Sequence, residues 1–223
     1  MGVMNIREKA DEIFAWGLDK RHDDLREGWK AHSFGAAKVA ATIAEKAGMD
    51  ADLAYAMGLL HDIGRYDLDA RMDHIILGYR KLMEENLPEI ARICLTHSFH
   101  PKETVMALRL SNEKDTKFVQ DFVSRAEYDD YDRLIQMADY MAGAHGVTII
   151  ERRFCSVLYR HGMPDPRGEL IELYEIKKEF DKKCNADVYT LFKDDISEVQ
   201  YRGIPGGFGK IEDDGNFKIK EGK

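Results

Sequence analysis

Apolar side chains recur at intervals of three and four along the first 160 residues, as in Ile6, Ala10, Ile13 and Phe14 and again in Phe34, Ala37, Ala40, Ala41 and Ala44. That spacing gathers each set on one stripe of an α-helix. Period-two alternation, which a half-buried strand needs, is scarce over the same stretch. An all-α fold is therefore expected. Asn5 is placed to cap the first helix and Asp50 the third, Gly48 to close the helix between them, and Gly64 falls just past the segment DADLAYAMGLLHD. Further helices are expected over roughly 73–86, 88–98, 103–110, 115–126, 130–145, 147–160 and 167–184, separated by Pro88, Pro101, Gly146 and the turn from Pro164 to Pro166.

Past Asp187 the pattern changes. DVYTLFKDDISEV reads as one more helix, YRGIPGGFG as a loop, and GKIEDDGNFKIK as a small β-hairpin turning at Asp214-Gly215. The expected organisation is a helical domain over 1–185 and a C-terminal appendage over 186–223. With 223 residues the chain is long enough to bury a substantial core.

Charge and composition narrow the partners. The 33 Lys and Arg against 41 Asp and Glu give a net charge of −8, spread along the chain without a basic stripe, so a nucleic-acid duplex is not an expected partner. No apolar run approaches the roughly 20 residues that cross a bilayer, and the charged amino terminus is unlike a signal peptide. No membrane association and a cytoplasmic location are the expectations. Cys94, Cys155 and Cys184 are too few and too scattered for a disulfide framework or a CxxC knuckle.

The stretch MGLLHDIGRY, residues 57–66, carries the chemistry. Helical neighbours point about 100° apart, so His61 and Asp62 cannot both face one core, but they can straddle one cation at a helix end. Imidazole nitrogen with carboxylate oxygen suits Zn, Fe, Mn or Co, and the pair needs further ligands from other segments. His32 shares a stripe with Ala36, Val39 and Ile43. Asp139 sits beside Met137, Ala138 and Met141, a carboxylate carried into an apolar helix, where a cation offsets the cost of burying it.

The ordered set His32, His61-Asp62 within LLHDIG and Asp139 within QMADYM resembles the H…HD…D signature of the HD-domain metal-dependent phosphohydrolase superfamily, over about residues 25–160. The resemblance implies an HD-type helical bundle. His74 and His97 extend it to the H…HD…H…H…D order of binuclear members such as the HD-GYP phosphodiesterases and the HD-type diadenosine tetraphosphate hydrolases. Ser98 stands where HD-GYP proteins carry another histidine, and no GYP stretch follows, so the pattern is closer to the diadenosine tetraphosphate hydrolases.

What the resemblance implies is a pair of divalent cations (Fe, Mn, Zn, Co or Ni), with His32, His61, Asp62 and Asp139 around the first, Asp62, His74 and His97 around the second, and Asp62 bridging. Such a pair lowers the pKa of a shared water to about 7 and clamps phosphate oxygens during in-line displacement. The implied activity is hydrolysis of a phosphoester or phosphoanhydride in a nucleotide or other small phosphate compound. Asp62 and Arg65 are the candidate catalytic residues, and Arg65, His100 and Lys102 the candidate substrate-binding ones, with Arg80 weaker. Two other classes stay open: a di-iron oxygenase of the same superfamily, and a non-catalytic metal-binding regulatory module. A homo-oligomer is equally open. His22, His145 and His161 read as ordinary helix-end histidines, and Arg152-Arg153 equally as phosphate-binding candidates and as surface residues.

Overall fold

A computed structural model of the chain describes residues 5–68 and 70–200, with side chains described as far as residue 196. Among the described residues the protein is a helical bundle of α1 (Ile6–Lys20), α2 (Arg26–Ala47), α3 (Ala51–Leu60), α4 (His74–Glu84), α5 (Pro88–Thr96), α6 (Glu113–Arg125), α7 (Asp130–Tyr140), α8 (Ile150–His161), α9 (Pro166–Cys184) and α10 (Lys193–Gln200). Between them lie 3-10 turns at Ile63–Tyr66, Arg71–Asp73, Lys102–Ala107 and Val188–Phe192. A two-residue strand pair, β1 (Ala142–Gly143) and β2 (Gly146–Val147), is antiparallel with Ala142 opposite Val147.

Local chemistry sets the helix ends. The Asn5 side chain accepts from Arg7 N, and Asp50 from Asp52 N and Leu53 N, each cap contributing about 1 kcal/mol. Gly48 closes α2 at φ 75°, a conformation that favours glycine. At α7, Asp129 and Asp132 form a reciprocal capping box.

The bundle is organised around α2, which packs against α3, α7, α9 and the strand pair. Its buried face, Ala36, Ala37, Val39, Ala40, Ile43 and Ala44, is mostly alanine, so backbones come close. The closest approach is at Gly58 on α3, where an added Cβ would lie 2.8 Å from both the Ala36 carbonyl oxygen and the Ala37 Cα. The main core also holds Met57, Leu60, Leu134, Met137, Leu173, Ile176 and Phe180. A second apolar cluster, including Ile75, Leu95, Phe99, Val119 and Val123, joins α4, α5 and α6. Val188 and Phe192 are buried in the main core, so the chain stays attached to the helical body past α9.

Several elements differ from the sequence expectation. The helix expected over 103–110 is a 3-10 turn at Lys102–Ala107. There Thr104 N–H and its hydroxyl both donate to the Pro101 carbonyl, and the Gln120 amide donates to the carbonyls of Val105, Met106 and Leu108, which a longer α-helix would use internally. The helix expected over 130–145 stops at Tyr140, and the chain reverses through Gly146 at φ 109° before α8 begins at Ile150. The segment read as one helix from Asp187 is a 3-10 turn followed by α10. The loop and hairpin expected beyond residue 200 lie outside the described residues. Among the described residues no helix is long and apolar enough to cross a membrane.

Candidate metal centre

The six expected ligand residues come from five segments and meet at one place. His32 projects from α2, His61 and Asp62 follow the last residue of α3, His74 opens α4, His97 follows the end of α5, and Asp139 belongs to the last turn of α7. His32, His61, Asp62, His74 and His97 are buried, and Asp139 nearly so.

Gly64 explains why glycine follows the His-Asp pair so closely. The 3-10 turn at Ile63–Tyr66 lies directly on the start of α4, and a Cβ on Gly64 would fall 2.0 Å from the His74 carbonyl oxygen and 2.6 Å from Gly78 N. Only a hydrogen fits. This contact brings His74 Nε2 to 3.0 Å from Asp62 Oδ1.

Each histidine is oriented through its outer nitrogen. His32 Nδ1 lies 3.1 Å from the Ala142 carbonyl oxygen, His61 Nδ1 2.7 Å from that of Gly58, and His97 Nδ1 3.0 Å from that of Ile93, while His74 Nδ1 meets the Arg71 carbonyl. A carbonyl oxygen only accepts, so each Nδ1 carries the proton and each Nε2 presents a lone pair inward. The early end of α7 serves this arrangement, because it turns the Ala142 carbonyl towards His32.

The inward atoms are therefore acceptors facing acceptors. His32 Nε2 is 3.1 Å from His61 Nε2 and 3.1 Å from Asp139 Oδ1, and His61 Nε2 is 3.8 Å from that same oxygen. Asp62 divides its oxygens: Oδ2 is 3.7 Å from both His32 Nε2 and His61 Nε2, while Oδ1 is 3.0 Å from His74 Nε2 and 3.6 Å from His97 Nε2. Two groups have ligand atoms all within 4.8 Å of one another, His32, His61 and Asp139, and His61, Asp62 and His97. His61 thus stands in both groups, and His74 joins through Asp62. Nitrogen and carboxylate oxygen in this mixture match the donor preference of first-row divalent cations.

Burial favours neutral imidazole here, lowering the pKa of His61, His74 and His97 and opposing the nearby carboxylates. Burial works to raise the Asp62 carboxyl, but the charge of Arg65 and the interactions with His74 and His61 outweigh it and hold Asp62 well below the usual carboxylate range. For Asp139, burial is likewise outweighed, first by its close contact with His32 and then by the charge of Arg153. Both carboxylates stay ionised.

The remaining candidates divide. Arg65 Nε is 2.5 Å from Asp62 Oδ2, with the side chain 38% exposed at the edge of the site. His100 is buried with the Tyr140 ring edge-on at 5.1 Å, neither ring nitrogen has a hydrogen-bond partner among the described residues, and burial pushes its pKa down to about 4. Lys102 is turned elsewhere: its Nζ donates to the Ala126 carbonyl at 2.9 Å. Arg80 pairs with Asp115 at 2.5 Å, away from the centre.

Two features escaped the sequence reading. Arg153, left open between a phosphate-binding role and the surface, reaches the ligand residue Asp139, with its guanidinium 3.6 Å from Oδ1. Behind His97, Thr96 donates to Asp132 Oδ1 at 2.7 Å, Arg92 pairs with Asp132 Oδ2 at 2.5 Å, and the Gln136 amide donates to the Thr96 carbonyl at 3.0 Å. Nothing in the sequence separates Asp132 from its neighbours Asp129 and Asp130, and its burial depends on how α5 lies against α7.

Comparison with known proteins agrees with this geometry. A family model described as HD domain matches residues 30–144, just over half of the chain. Ribonuclease Y of Mycoplasma capricolum subsp. capricolum is 35% identical over 74 residues, which are 33% of this chain and 14% of that protein. The chain therefore spans only a small part of that relative. No solved structure matches.

Proposed function

The chain belongs to the HD-domain family, and from that premise we propose that it is a metal-dependent phosphohydrolase, cleaving a phosphoester or phosphoanhydride of a nucleotide or other small phosphate compound. The observation that carries the reading is the convergence of four imidazole lone pairs on two ionised carboxylates, with the two oxygens of Asp62 directed to different histidine pairs. His32, His61 and Asp139 would hold one divalent cation, and Asp62, His74 and His97 the other. Bound there, such cations supply an activated water near neutral pH and charge stabilisation for the phosphoryl group.

The chain's own residues do the rest. The four carbonyl–Nδ1 contacts fix the imidazoles before any ligand arrives, which limits the reorganisation that binding requires. Arg65 holds Asp62 in place and presents a cation at the exposed edge, where it can neutralise charge developing on phosphoryl oxygens. Burial keeps bulk water away and strengthens these interactions.

The name of the ribonuclease relative raises RNA as a substrate, but a net charge of −8 without a basic stripe favours a small phosphate compound. The test is phosphate release from a nucleotide panel together with elemental analysis of gently purified protein. A variant carrying His61→Ala and Asp62→Ala should lose both metal and turnover, and unchanged turnover in it sinks the reading.

A further inference from the structure

The 3-10 turn at Ile63–Tyr66, which carries Arg65, is held from two sides. On one side Gly64 rests against the start of α4. On the other lies α1, which together with Arg21 precedes the residues 30–144 matched by the family model. An added Cβ on Gly17 would lie 2.8 Å from Ile63 Cδ1, and the Trp16 ring stands 4.8 Å from that of Tyr66. Just past the end of α1, Arg21 is buried. Its Nε and Nη2 donate to the two Asp23 carboxylate oxygens, each at 2.7 Å, and its Nη1 donates to the Arg65 carbonyl.

A buried guanidinium has to be paired, and Asp23 already does that. The bond to the Arg65 carbonyl is a further contact, and it ends on the residue of the turn whose side chain pairs with Asp62. A 3-10 helix stacks side chains three residues apart on one side. Arg65 N–H donates to the Asp62 carbonyl at 3.0 Å, closing such a turn, and Arg65 Nε accordingly lies 2.5 Å from Asp62 Oδ2. With its N–H taken by Asp62 and its carbonyl by Arg21, the Arg65 backbone is fixed at both ends. Resting on the reading of Arg65 as the cation at the edge of a phosphohydrolase centre, we infer that Arg21 is a positioning residue: its hold on the Arg65 carbonyl keeps the turn in 3-10 form and the Arg65 guanidinium on Asp62. Arginine suits this role because its planar fork serves Asp23 along one edge and leaves a third nitrogen for the carbonyl, an arrangement that an ammonium group does not reproduce. The edge of the centre thereby depends on the connection between α1 and α2, outside the matched region.

The test is the solvent-exchange rate of Arg65 Nε–H, read by proton–nitrogen NMR on the full chain with Zn²⁺ supplied and assigned by the loss of its signal in Arg65→Lys. Arg21→Gln should speed that exchange at least about tenfold, because the charge-assisted bond to Asp62 opens more often. Arg21→Lys keeps a donor without the fork and should fall between the parent and Arg21→Gln, and it decides the matter if Arg21→Gln does not fold. Asn5→Ala removes the N-cap of α1 without touching the turn, and should lower the melting temperature while leaving the exchange within about twofold of the parent. An Arg65 signal indifferent to the Arg21 variants overturns the inference. So does a signal that quickens as much in Asn5→Ala as in Arg21→Gln, since the effect would then belong to loosened packing of α1. Exchange rates in the expected order in a protein that turns over no phosphate compound would remove the hydrolase reading alone, and phosphate release with an Arg65 signal untouched by Arg21 would remove this inference alone.

Discussion

His32 Nε2 and His61 Nε2 stand 3.1 Å apart while the Nδ1 atom of each faces a backbone carbonyl, of Ala142 and of Gly58. Two lone pairs at that separation in a buried site repel, and a shared proton or a cation is needed to make the arrangement favourable. The cation also accounts for Asp139, whose Oδ1 lies 3.1 Å from His32 Nε2, and for its grouping with both histidines.

Cation binding should therefore stabilise the fold. At a free cation concentration about 100 times its dissociation constant the gain is about 2.7 kcal/mol. For a protein of this size that raises the melting temperature by roughly 5–10 °C. Calorimetric melting before and after exhaustive chelation should show the drop, with recovery on adding Mn²⁺ or Zn²⁺; identical melting temperatures would speak against a structured centre.

Gly64→Ala should be among the most damaging small substitutions in the molecule. The new methyl group would collide with the backbone of His74 and Gly78, forcing α4 away from the 3-10 turn. Overpacking of this severity costs about 3 kcal/mol or more. Chemical denaturation should report that loss, and His74 should move away from Asp62, lowering metal affinity as well. A stable variant with full metal content would contradict the tight contact.

Thr96→Val tests the network behind His97. It removes the hydroxyl that donates to Asp132 Oδ1, leaving a buried carboxylate oxygen short of a donor, at a cost of about 1–3 kcal/mol. Metal content should be nearly unchanged, because Thr96 supports the helix end without facing the cations. Denaturation midpoints decide the stability, and elemental analysis the rest.

Glu169 gives a pH dependence remote from the centre. Burial raises its carboxyl to about 7, chiefly because the charged form loses water. With the folded pKa above the unfolded one, the folded state binds more protons between about pH 4.5 and 7, so the stability that this residue contributes is full at the acid end and is lost as pH rises through 7. Glu169→Gln should remove that slope, raising the melting temperature at pH 8 by up to about 3 °C and changing it little near pH 4. A variant that parallels the parent at every pH would show that Glu169 carries no such burden.

Much of the centre was legible because its chemistry conflicts with its surroundings. A His-Asp pair closing an apolar helix, a histidine on the Ala36–Val39–Ile43 stripe and an aspartate between methionines have no simple explanation in packing, and the structure brings these side chains together. Capping residues marked the helix starts at Asn5 and Asp50 for the same local reason. What stayed hidden depends on contacts distant in sequence. The early end of α7 is tied to His32, 110 residues away from Ala142, and no periodicity within 130–145 encodes that. The 3-10 turn at Lys102–Ala107 depends on the Gln120 amide taking its carbonyls, and Arg153 faces the centre because of how α8 packs on α7.

Metal content after purification without chelator, counted by anomalous X-ray scattering from crystals of the full chain, tests the central claim most directly. The account predicts two divalent ions per chain, one among His32, His61 and Asp139 and the other beside Asp62, His74 and His97, both absent when His61 and Asp62 are replaced by alanine. A chain that holds no ion at these side chains, whichever of Mn²⁺, Fe²⁺, Co²⁺, Ni²⁺ or Zn²⁺ is supplied, contradicts it.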